Sequence, residues 1–413
     1  GAYNELRSFN VHSQSFITAT SIRSDDADKG STPADGGANA IDMDNFPVTP
    51  SNGFCNTLWT GYYGFITKCN STIYEVNNNK NIVASDAIKA QTIAEAKFLR
   101  AYAYFNLVRF FGRVPLIDTL FSNPAAQNNV PQSTAAQIYA FIENDLNFAA
   151  ANLPLNWSSA FIGRATKGAA NGLLAKVYLT QQKWSQAAAA ANAVITSGQY
   201  DLSTTYDKVF REEGENSKES VFEVQATATA AIPTSNGVQY AQIQGVRGSG
   251  IWDMGWGWNT PSTYLEAAYE ANDPRKNRTI LYTSTSTTTY QTIYGENLPT
   301  GLPNPRYNNK VYSNPSLRSS IGNRFGYWMN IRILRYADVV LMYAEALNEM
   351  GGTDNTTKAL AAVNSVRARA RIGAIGGTLP DVTTTDQSLL REAIRKERRV
   401  ELAMEHDRFF DLV

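Results

Sequence analysis

Three tryptophans stand close together in the segment GIWDMGWGWNTP, residues 250–261, where Trp252, Trp256 and Trp258 fall within seven positions. Glycines flank the second of these tryptophans on both sides. An indole ring offers a flat apolar face at a small cost in side-chain entropy, so exposed rings could stack on a flat ligand. Neighbouring glycines would let that ligand come close to the backbone. The alternative interpretation is that the rings are buried and attach this segment to the rest of the protein.

Residues that could carry out catalysis are few. His12 and His406 are the only histidines, and the sequence contains no HExxH, GxSxG, Walker-loop or CxxC motif. Glycoside hydrolysis needs a pair of acids, one of them with a raised pKa. The acids of REAIRKERRVELAMEHDR, residues 391–408, have arginines nearby that would keep them ionised. We therefore predict that the protein is not an enzyme, and we interpret this segment as a salt-bridged helix face in solvent.

Two groups of acidic residues could bind a metal ion. The segments DDAD, residues 25–28, and DMD, residues 42–44, carry clustered carboxylates, which are the hard oxygen ligands that calcium prefers. The competing interpretation is that both segments are ordinary polar loops. We predict no cofactor and assign no metal ligand, and a structural calcium ion stays open as the alternative.

The composition is that of a globular protein without a strongly charged partner. Lys plus Arg and Asp plus Glu both number 37 among 413 residues, so the formal net charge is zero and no basic tract is available to follow phosphates. Nucleic acid is therefore not expected as a partner. The sequence has no apolar run of about 18 residues, which predicts no membrane-spanning helix. Cys55 and Cys69 are too far apart along the predicted helix to form a disulfide.

Helical periodicity predicts the elements that must position these residues. Apolar residues recur every three or four positions in five ranges: 57–77, 86–111, 133–152, 166–198 and 335–370. Each of the last two ranges divides into a helix pair close to the roughly 34-residue period of tetratricopeptide repeats. Between them, residues 199–334 lose the helical period, and we expect strands at 220–225 and 330–334 and a short helix in PSTYLEAAYEAND. The aromatic content of this region argues against disorder.

Three long motifs resemble the signature segments of the SusD/RagB family and occur in that family's order. They are EAKFLRAYAYFNLVRFFGRVPLI (95–117), LRYADVVLMYAEALNE (334–349) and LREAIRKERRVELAMEHDRFFDLV (390–413). The resemblance implies a lipoprotein of the Bacteroidetes outer membrane that captures glycans at the extracellular face. It further implies delivery of the glycan to a SusC-like TonB-dependent transporter. The lipid anchor is only implied, because the lipidated cysteine that begins family members is not part of this sequence.

The predicted fold is mainly α: a scaffold of tetratricopeptide-like helix pairs with a long loop-rich insertion and a few short β-strands. We expect one domain over residues 1–413, with the helical scaffold at 57–198 and 335–413. The resemblance implies that the loop-rich region 199–334 binds the ligand, with a contribution from the loop 24–56. Family members also continue beyond the RFFDL segment into a tail that closes the fold, whereas this sequence stops at Val413.

The resemblance gives the tryptophan segment a specific ligand. A sugar ring presents a face of C–H groups that an indole attracts, and polar side chains nearby can hydrogen-bond its hydroxyls. The candidate binding residues in the insertion are Trp252, Trp256, Trp258, Asp253, Asn259, Arg247 and Trp328. In the family the loop before the first repeat helix also reaches the binding face, which adds Asp42, Asn45, Phe46, Asn52 and Phe54. The residue types do not distinguish starch, xylan, mannan and host glycans.

A second function class remains open. Helical-repeat scaffolds often bind peptides or proteins through a concave face. Exposed, roughly coplanar rings in the tryptophan segment favour glycan stacking, whereas buried rings favour such a scaffold. The exposure of these rings is therefore the observation that separates the two hypotheses.

Overall fold

Helices make up most of the protein in the computed structural model, which describes residues 1–121 and 123–413. In chain order the helices are α1 (Ala2–Glu5), α2 (Phe9–His12), α3 (Gln14–Ile17), α4 (Gly37–Asp44), α5 (Gly53–Asn78), α6 (Asp86–Phe111), α7 (Pro124–Asn128), α8 (Ala135–Asn152), α9 (Lys167–Thr180), α10 (Trp184–Ile195), α11 (Tyr206–Val209), α12 (Tyr240–Gln244), α13 (Thr263–Ala268), α14 (Pro274–Thr279), α15 (Pro315–Ile321), α16 (Tyr336–Met350), α17 (Thr353–Ala370), α18 (Gln387–Glu401) and α19 (Arg408–Leu412). A π-helical turn covers Thr18–Ile22, and 3-10 turns cover Ser159–Phe161, Glu212–Gly214, Gly250–Trp252 and Asn309–Val311. The predicted mainly α class is confirmed.

The strands are short and lie in two-stranded antiparallel ladders. They are β1 (Ala27–Gly30), β2 (Val114–Pro115), β3 (Gln132–Ser133), β4 (Ser220–Val224), β5 (Trp258–Pro261), β6 (Ile280–Tyr282), β7 (Arg306–Asn308) and β8 (Ile331–Arg335). The pairs are β1 with β5, β2 with β3, β4 with β8 and β6 with β7. The two strands predicted from sequence are confirmed as β4 and β8, and they pair with each other.

The first half of the scaffold is a row of long helices, each packed against the next. The order is α5, α6, α8, α9 and α10. Helix α6 begins at the cap Ser85, whose Oγ accepts a hydrogen bond from the Ile88 N–H, and ends at Gly112 with φ +69°. The predicted apolar stripe of α6, which includes Phe98 and Phe105, is buried against its neighbours. The predicted helix pair at 166–198 is confirmed as α9 and α10.

The row of helices continues across the insertion. Helix α10 packs directly against α16, although residues 196–335 separate them in sequence, and α16 packs against both α17 and α18. A second apolar core forms here, with Ala187 of α10 beside Val340 and Leu341 of α16 and Ile394 of α18. The scaffold is therefore continuous in space, and the insertion leaves it and returns to it at one place.

The insertion and the N-terminal loop contain more regular structure than the sequence predicted. The short helix expected in PSTYLEAAYEAND is confirmed as α13, but α11, α12, α14, α15, β5, β6 and β7 were not expected. The segment 24–56 was predicted as a loop and instead contains β1 and α4. Strand β1 forms by pairing with β5, Ala27 opposite Pro261 and Gly30 opposite Trp258. Pairing between segments so distant leaves no local periodicity to detect.

A buried ionic cluster joins the insertion to the scaffold. We call it the Glu401 cluster, and its members are Glu219, Arg275, Arg335, Arg369, Glu397 and Glu401. The carboxylate of Glu401 accepts hydrogen bonds from three guanidinium groups, those of Arg275 at 3.1 Å, Arg335 at 3.0 Å and Arg369 at 2.5 Å. These groups come from α14, β8 and α17, while Glu401 ends α18. Four elements therefore meet at one carboxylate.

The predicted solvent-exposed charged face of α18 is right for Glu392 and Lys396, which are exposed, but wrong for Glu397, Arg398 and Glu401, which are buried. Glu397 and Glu401 are 1% and 0% exposed. Burial alone would raise the pKa of Glu401, but the guanidinium groups of Arg369 and Arg335 hold it well below its ordinary value. The i, i+4 spacing of charged residues does not reveal whether their partners are water and neighbouring side chains or residues of distant elements.

A second ionic contact ties the two halves of the scaffold together. Lys176 of α9 donates to Asp338 of α16 and to Asp407, both at 2.8 Å. Arg398 of α18 pairs with the same Asp338 and with Asp411 at 3.1 Å. Both cysteines are free thiols, as predicted. Within the described ranges, no helix combines the length and the apolar character that crossing a membrane requires.

The two histidines lie inside the protein on either side of one phenylalanine. The ring of Phe16 is centred 4.9 Å from that of His12 and 5.1 Å from that of His406. His12 bonds to the Tyr102 hydroxyl at 2.6 Å, and His406 bonds to the Tyr240 hydroxyl at 2.5 Å. Burial lowers the pKa of His12 to about 4 and that of His406 to about 3. Both rings are therefore neutral in the folded protein near neutral pH.

Removing the charge of Glu401 is expected to destabilise the protein strongly. In Glu401→Gln three buried guanidinium groups lose their shared anion, which costs about 3–5 kcal/mol of unfolding free energy. Urea denaturation monitored by circular dichroism measures the loss. Glu392→Gln is the matched control, because Glu392 is exposed on the same helix and its change is expected to stay within about 0.5 kcal/mol. Equal effects of the two substitutions would contradict the structural role of the cluster.

The buried histidines predict a specific dependence of stability on pH. An unfolded histidine titrates near pH 6.5, so between that value and about 4 the unfolded chain binds a proton that folded His12 does not. Its contribution to stability therefore falls with decreasing pH, by about 1.4 kcal/mol per pH unit. Burial raises the pKa of Glu215 to about 7, so the contribution of this residue to stability rises as the pH falls and opposes that of the histidines. The histidine contribution is therefore measured as the difference in unfolding free energy between the wild type and a variant without His12.

His12→Gln isolates the histidine contribution. The variant is expected to be less stable than the wild type at pH 7, and this difference is expected to shrink as the pH falls from 6.5 towards 4. Urea denaturation of both proteins at several pH values measures it. A difference that is constant across this range would show that His12 binds its proton in the folded state as easily as in the unfolded one.

Candidate functional site

The tryptophan segment lies alongside the segment that follows α12. The backbone N–H of Trp256 donates to the Gln242 carbonyl at 2.8 Å, and that of Gly257 donates to the Gly245 carbonyl at 2.9 Å. A Cβ at Gly255 would lie 2.1 Å from the Gln242 carbonyl oxygen, and Gly257 has φ +72°. These glycines are required because two backbone segments pack closely here. The predicted reason, close approach of a ligand, is not needed to explain them.

Of the three clustered tryptophans, Trp258 is part of the core. Its side chain is 3% exposed, and it packs against the ring of Phe54 and beneath the ammonium group of Lys29 at 5.4 Å from the ring centroid. Gly36 approaches the indole so closely that a Cβ there would lie 2.3 Å from it. The expectation that Trp258 presents its ring to a ligand is therefore not met. The indole lies instead against Gly36, the residue that precedes α4.

Trp252 and Trp256 keep part of their rings accessible to solvent. Trp256 packs one side against the main core, and Trp252 packs against a smaller apolar cluster around Val246 and Met254. Both are attached to the protein by the backbone hydrogen bonds of their segment. They are therefore partly exposed rings on a fixed support.

The polar residues predicted beside the tryptophans have different positions. Asn259 is fully buried, and its amide donates to Gln244 at 2.7 Å, so it does not reach the surface. Asp253 is partly exposed and pairs with Arg324. Arg247 is also partly exposed; it donates to Ser31 Oγ at 2.6 Å and pairs with Asp35.

The two ion pairs connect three chain segments. The Arg247–Asp35 pair joins the N-terminal loop to the residues just before the tryptophan segment, and the Asp253–Arg324 pair joins the tryptophan segment to the loop before β8. Hydrogen bonds from Ser31 and Thr32 lower the pKa of Asp35 to about 2, so this carboxylate is ionised at neutral pH.

The N-terminal loop contributes fewer exposed residues than predicted. Asn52 is 1% exposed and caps α5, where its Oδ1 accepts from the Phe54 N–H at 3.0 Å. Phe54 is partly exposed, and its ring packs edge-on against that of Trp258. Asn45 and Phe46 are exposed, Phe46 by 56%, and Asp42 is partly exposed. Phe46 also has φ +73°, an uncommon conformation for a non-glycine residue.

The loop before β8 contributes different residues from the one predicted. Trp328 is 5% exposed, and its indole N–H donates to Glu212 at 2.8 Å, so it is a core residue. Phe325 and Tyr327, in the same NRFGYWMN segment, are partly exposed, and Tyr327 donates to Gln242 Oε1 at 2.7 Å. The signal that could have found them is the same as for Trp256, namely aromatic residues on both sides of a glycine.

These segments together form the candidate site, which we call the aromatic surface. Its partly or fully exposed rings are Phe46, Trp252, Trp256, Phe325 and Tyr327. The ion pairs Asp35–Arg247 and Asp253–Arg324 belong to the same chain segments or directly adjoin them. Both carboxylates are paired with guanidinium groups. The lowered pKa of Asp35 makes this carboxylate a hydrogen-bond acceptor rather than a general acid at neutral pH. The arrangement suits the binding of a neutral hydroxylated ligand.

The acidic segments considered for calcium have partners within the chain. Arg399 donates to Asp26 at 2.6 Å, and Arg408 donates to Asp25 at 2.6 Å. Asp44 accepts the backbone N–H of Lys29 at 3.0 Å. In the part of the chain that the structure describes, no group of three or more His, Cys, Asp and Glu side chains is placed to hold a metal ion.

Comparison with known proteins matches nearly the whole chain to one kind of protein. A family model described as the SusD family matches residues 218–413, and one described as starch-binding and associating with the outer membrane matches residues 10–179. These two matches leave residues 1–9 and 180–217 outside. A SusD-like protein of Formosa agariphila is 28% identical over 425 residues, covering 100% of this chain and 81% of the relative. A SusD-like protein of Bacteroides ovatus is 29% identical over 383 residues, covering 89% and 67%.

Solved structures show the same architecture. A laminarin-binding SusD-like protein superposes with a TM-score of 0.79 at 29% identity, covering 100% of this chain and 88% of the other. A SusD-like protein from Bacteroides fragilis gives a TM-score of 0.79 at 25% identity, covering 100% and 83%. The starch-binding protein SusD of Bacteroides thetaiotaomicron is 30% identical over 148 residues, which are 34% of this chain and 25% of that protein. On the agreement of the family models, the relatives and the fold, this chain belongs to the SusD family.

Proposed function

We propose that this protein captures poly- or oligosaccharide at the cell surface without catalysis and delivers it to a SusC-like TonB-dependent transporter. The observation that carries the proposal is the aromatic surface, where partly exposed rings stand among ionised hydrogen-bonding pairs on a fixed backbone. Two relatives support the ligand class, because one is named laminarin-binding and another starch-binding. The glycan itself is left to experiment, since these two names indicate different polymers.

The absence of catalysis is part of the proposal. The carboxylates that the aromatic surface offers beside its rings, Asp35 and Asp253, are each held by an arginine. Hydrolysis by two carboxyl groups needs one that stays protonated near neutral pH, and a neighbouring guanidinium opposes this. Two of the relatives described above carry names of binding proteins, one laminarin-binding and one starch-binding.

The cellular location and the partner follow from the family and are also proposed. The protein is placed on the extracellular face of the outer membrane, held by a lipid on an N-terminal cysteine of the full precursor. One matching family model carries a description that includes association with the outer membrane. The competing function, a helical-repeat scaffold for peptides, explains the core positions of Trp258 and Trp328 but not the partly exposed rings beside them.

Trp256 and Trp258, on either side of Gly257, offer a matched pair of substitutions. Trp256→Ala is expected to weaken glycan binding about fivefold or more, because an aromatic contact is worth roughly 1 kcal/mol beyond its buried area. Trp258→Ala is expected to cost about 3–5 kcal/mol of stability, because its indole is buried. Affinity electrophoresis against starch, laminarin, xylan and mannan measures binding, and thermal denaturation measures stability. Full affinity in a folded Trp256→Ala protein would contradict the role of the aromatic surface.

The transporter partnership is tested in the native membrane. Affinity capture of the tagged full precursor from detergent-solubilised outer membrane is expected to recover a TonB-dependent transporter. Trp256→Ala serves as the control, because a change at the aromatic surface should leave recovery of the transporter unchanged while glycan binding falls. Recovery of soluble periplasmic proteins alone would contradict both the partner and the location.

A further inference from the structure

A second concave site lies away from the aromatic surface. It is a cleft of about 220 Å³ lined by the loop that precedes α9, the segment that follows α10, and β4 with the residues just before it. The lining residues that matter here are Asn156, Trp157, Gln199, Tyr200, Asn216 and Lys218. Among the described residues, none that lines this cleft belongs to the aromatic surface or to its ion pairs. The cleft is therefore a separate feature of the molecule.

The indole of Trp157 is held in one position at the cleft. Its Nε1–H donates to the Ala165 carbonyl at 2.9 Å, and the guanidinium group of Arg164 lies 4.0 Å from the ring centroid. Arg164 is itself fixed, because its Nε donates to Glu95 at 2.7 Å. Glu95 also accepts the hydroxyl of Tyr3 at 2.8 Å. A partly exposed ring held in this way loses little conformational entropy when a ligand packs against it.

The polar groups of the cleft are mostly amides and hydroxyls. The Asn156 side chain donates to Gln199 at 3.0 Å, and Asn216 exchanges two hydrogen bonds with Gln225, at 3.0 and 2.9 Å. The hydroxyl of Tyr200 bonds to a neighbouring threonine at 2.8 Å. Amides and hydroxyls that pair with one another keep further donor and acceptor positions. They match the hydroxyl groups of a sugar, each of which both donates and accepts.

The charges of the cleft are neutralised within the chain. Lys218 pairs with Asp201 at 3.3 Å, Arg164 pairs with Glu95, and Glu223 lies 3.6 Å from the guanidinium of Arg332. A phosphorylated or acidic ligand would find no uncompensated cation among these groups. An apolar ligand would displace the water that is hydrogen-bonded to these amides and would offer no hydrogen bonds in its place. The lining therefore favours a neutral polar ligand with one apolar face.

We propose that this cleft is a second saccharide-binding site, in which one ring of a neutral oligosaccharide packs against Trp157 and bonds to the surrounding amides. Its volume is below the roughly 300 Å³ at which pockets for drug-sized ligands begin. It therefore holds a single ring and leaves the remaining chain in solvent. Leu155 and Ile162, at least half exposed beside the cleft, extend the apolar contact. This inference rests on the proposed function, because it assigns a second contact for the same ligand class.

The test observes the indoles directly. The protein is labelled with 5-fluorotryptophan, and 19F NMR spectra are recorded during titration with laminarihexaose, maltohexaose and xylohexaose. Single Trp→Phe substitutions assign the resonances. We expect at least one of these sugars to shift the Trp157 signal, and to shift it also in Trp256→Ala, where the aromatic surface is impaired. The buried indoles of Trp258 and Trp328 serve as internal controls that should not move.

The outcomes separate this inference from the proposed function. A shift of Trp256 without any shift of Trp157 overturns the second site and leaves the proposed function standing. No shift of either signal with any of the three sugars counts against both. Calorimetry adds an independent measurement, because Trp157→Ala and Asn216→Ala are each expected to reduce the number of sugars bound per chain by one. Unchanged stoichiometry in both folded variants overturns the inference.

Discussion

The carboxylate of Glu401 is the contact on which the arrangement of the molecule depends. Three guanidinium groups from α14, β8 and α17 converge on it, and all of them are removed from water. Burying charges is expensive, and the attraction among them compensates only when each group has its partners. No one of these elements can move away without leaving an unpaired buried charge. The insertion is therefore held to the scaffold in a specific geometry, which apolar packing alone specifies less sharply.

That geometry is transmitted to the aromatic surface through two neighbouring elements. Arg335 ends β8, and the loop that carries Phe325 and Tyr327 leads directly into this strand. Helix α12 is fixed from the other side, because Tyr240 bonds to the buried His406 near the C-terminus. The carbonyl of Gln242 on α12 then receives the backbone N–H of Trp256. The segments that carry the partly exposed rings of Trp256, Phe325 and Tyr327 are thus held in place by contacts with buried residues.

The sequence predicts the scaffold well and the site only in part. Helices such as α6 and α9 are predicted by periodic apolar residues and a capping residue, which are local signals. Strand β1 forms by pairing with β5, more than 200 residues away in the sequence, and no local pattern records such a partner. The buried charged residues of α18 were misjudged for the same reason: the pattern does not reveal that the partners of Glu401 are in distant segments. Family motifs supplied what periodicity could not.

Residue type alone does not separate a binding ring from a core ring. Trp256 and Trp258 have nearly the same sequence environment, yet the second is buried and the first remains partly exposed. The difference arises from the pairing of β5 with β1 and from the close approach of Gly36, which are tertiary features. Aromatic composition thus indicates a candidate region without distinguishing its exposed rings from its buried ones. Among the polar groups, hydrogen bonds from Ser31 and Thr32 lower the pKa of Asp35 to about 2, so this carboxylate is an acceptor at neutral pH. A surface built in this way favours steady capture of neutral hydroxylated ligands over bond cleavage, for which one acid would have to be free to keep its proton.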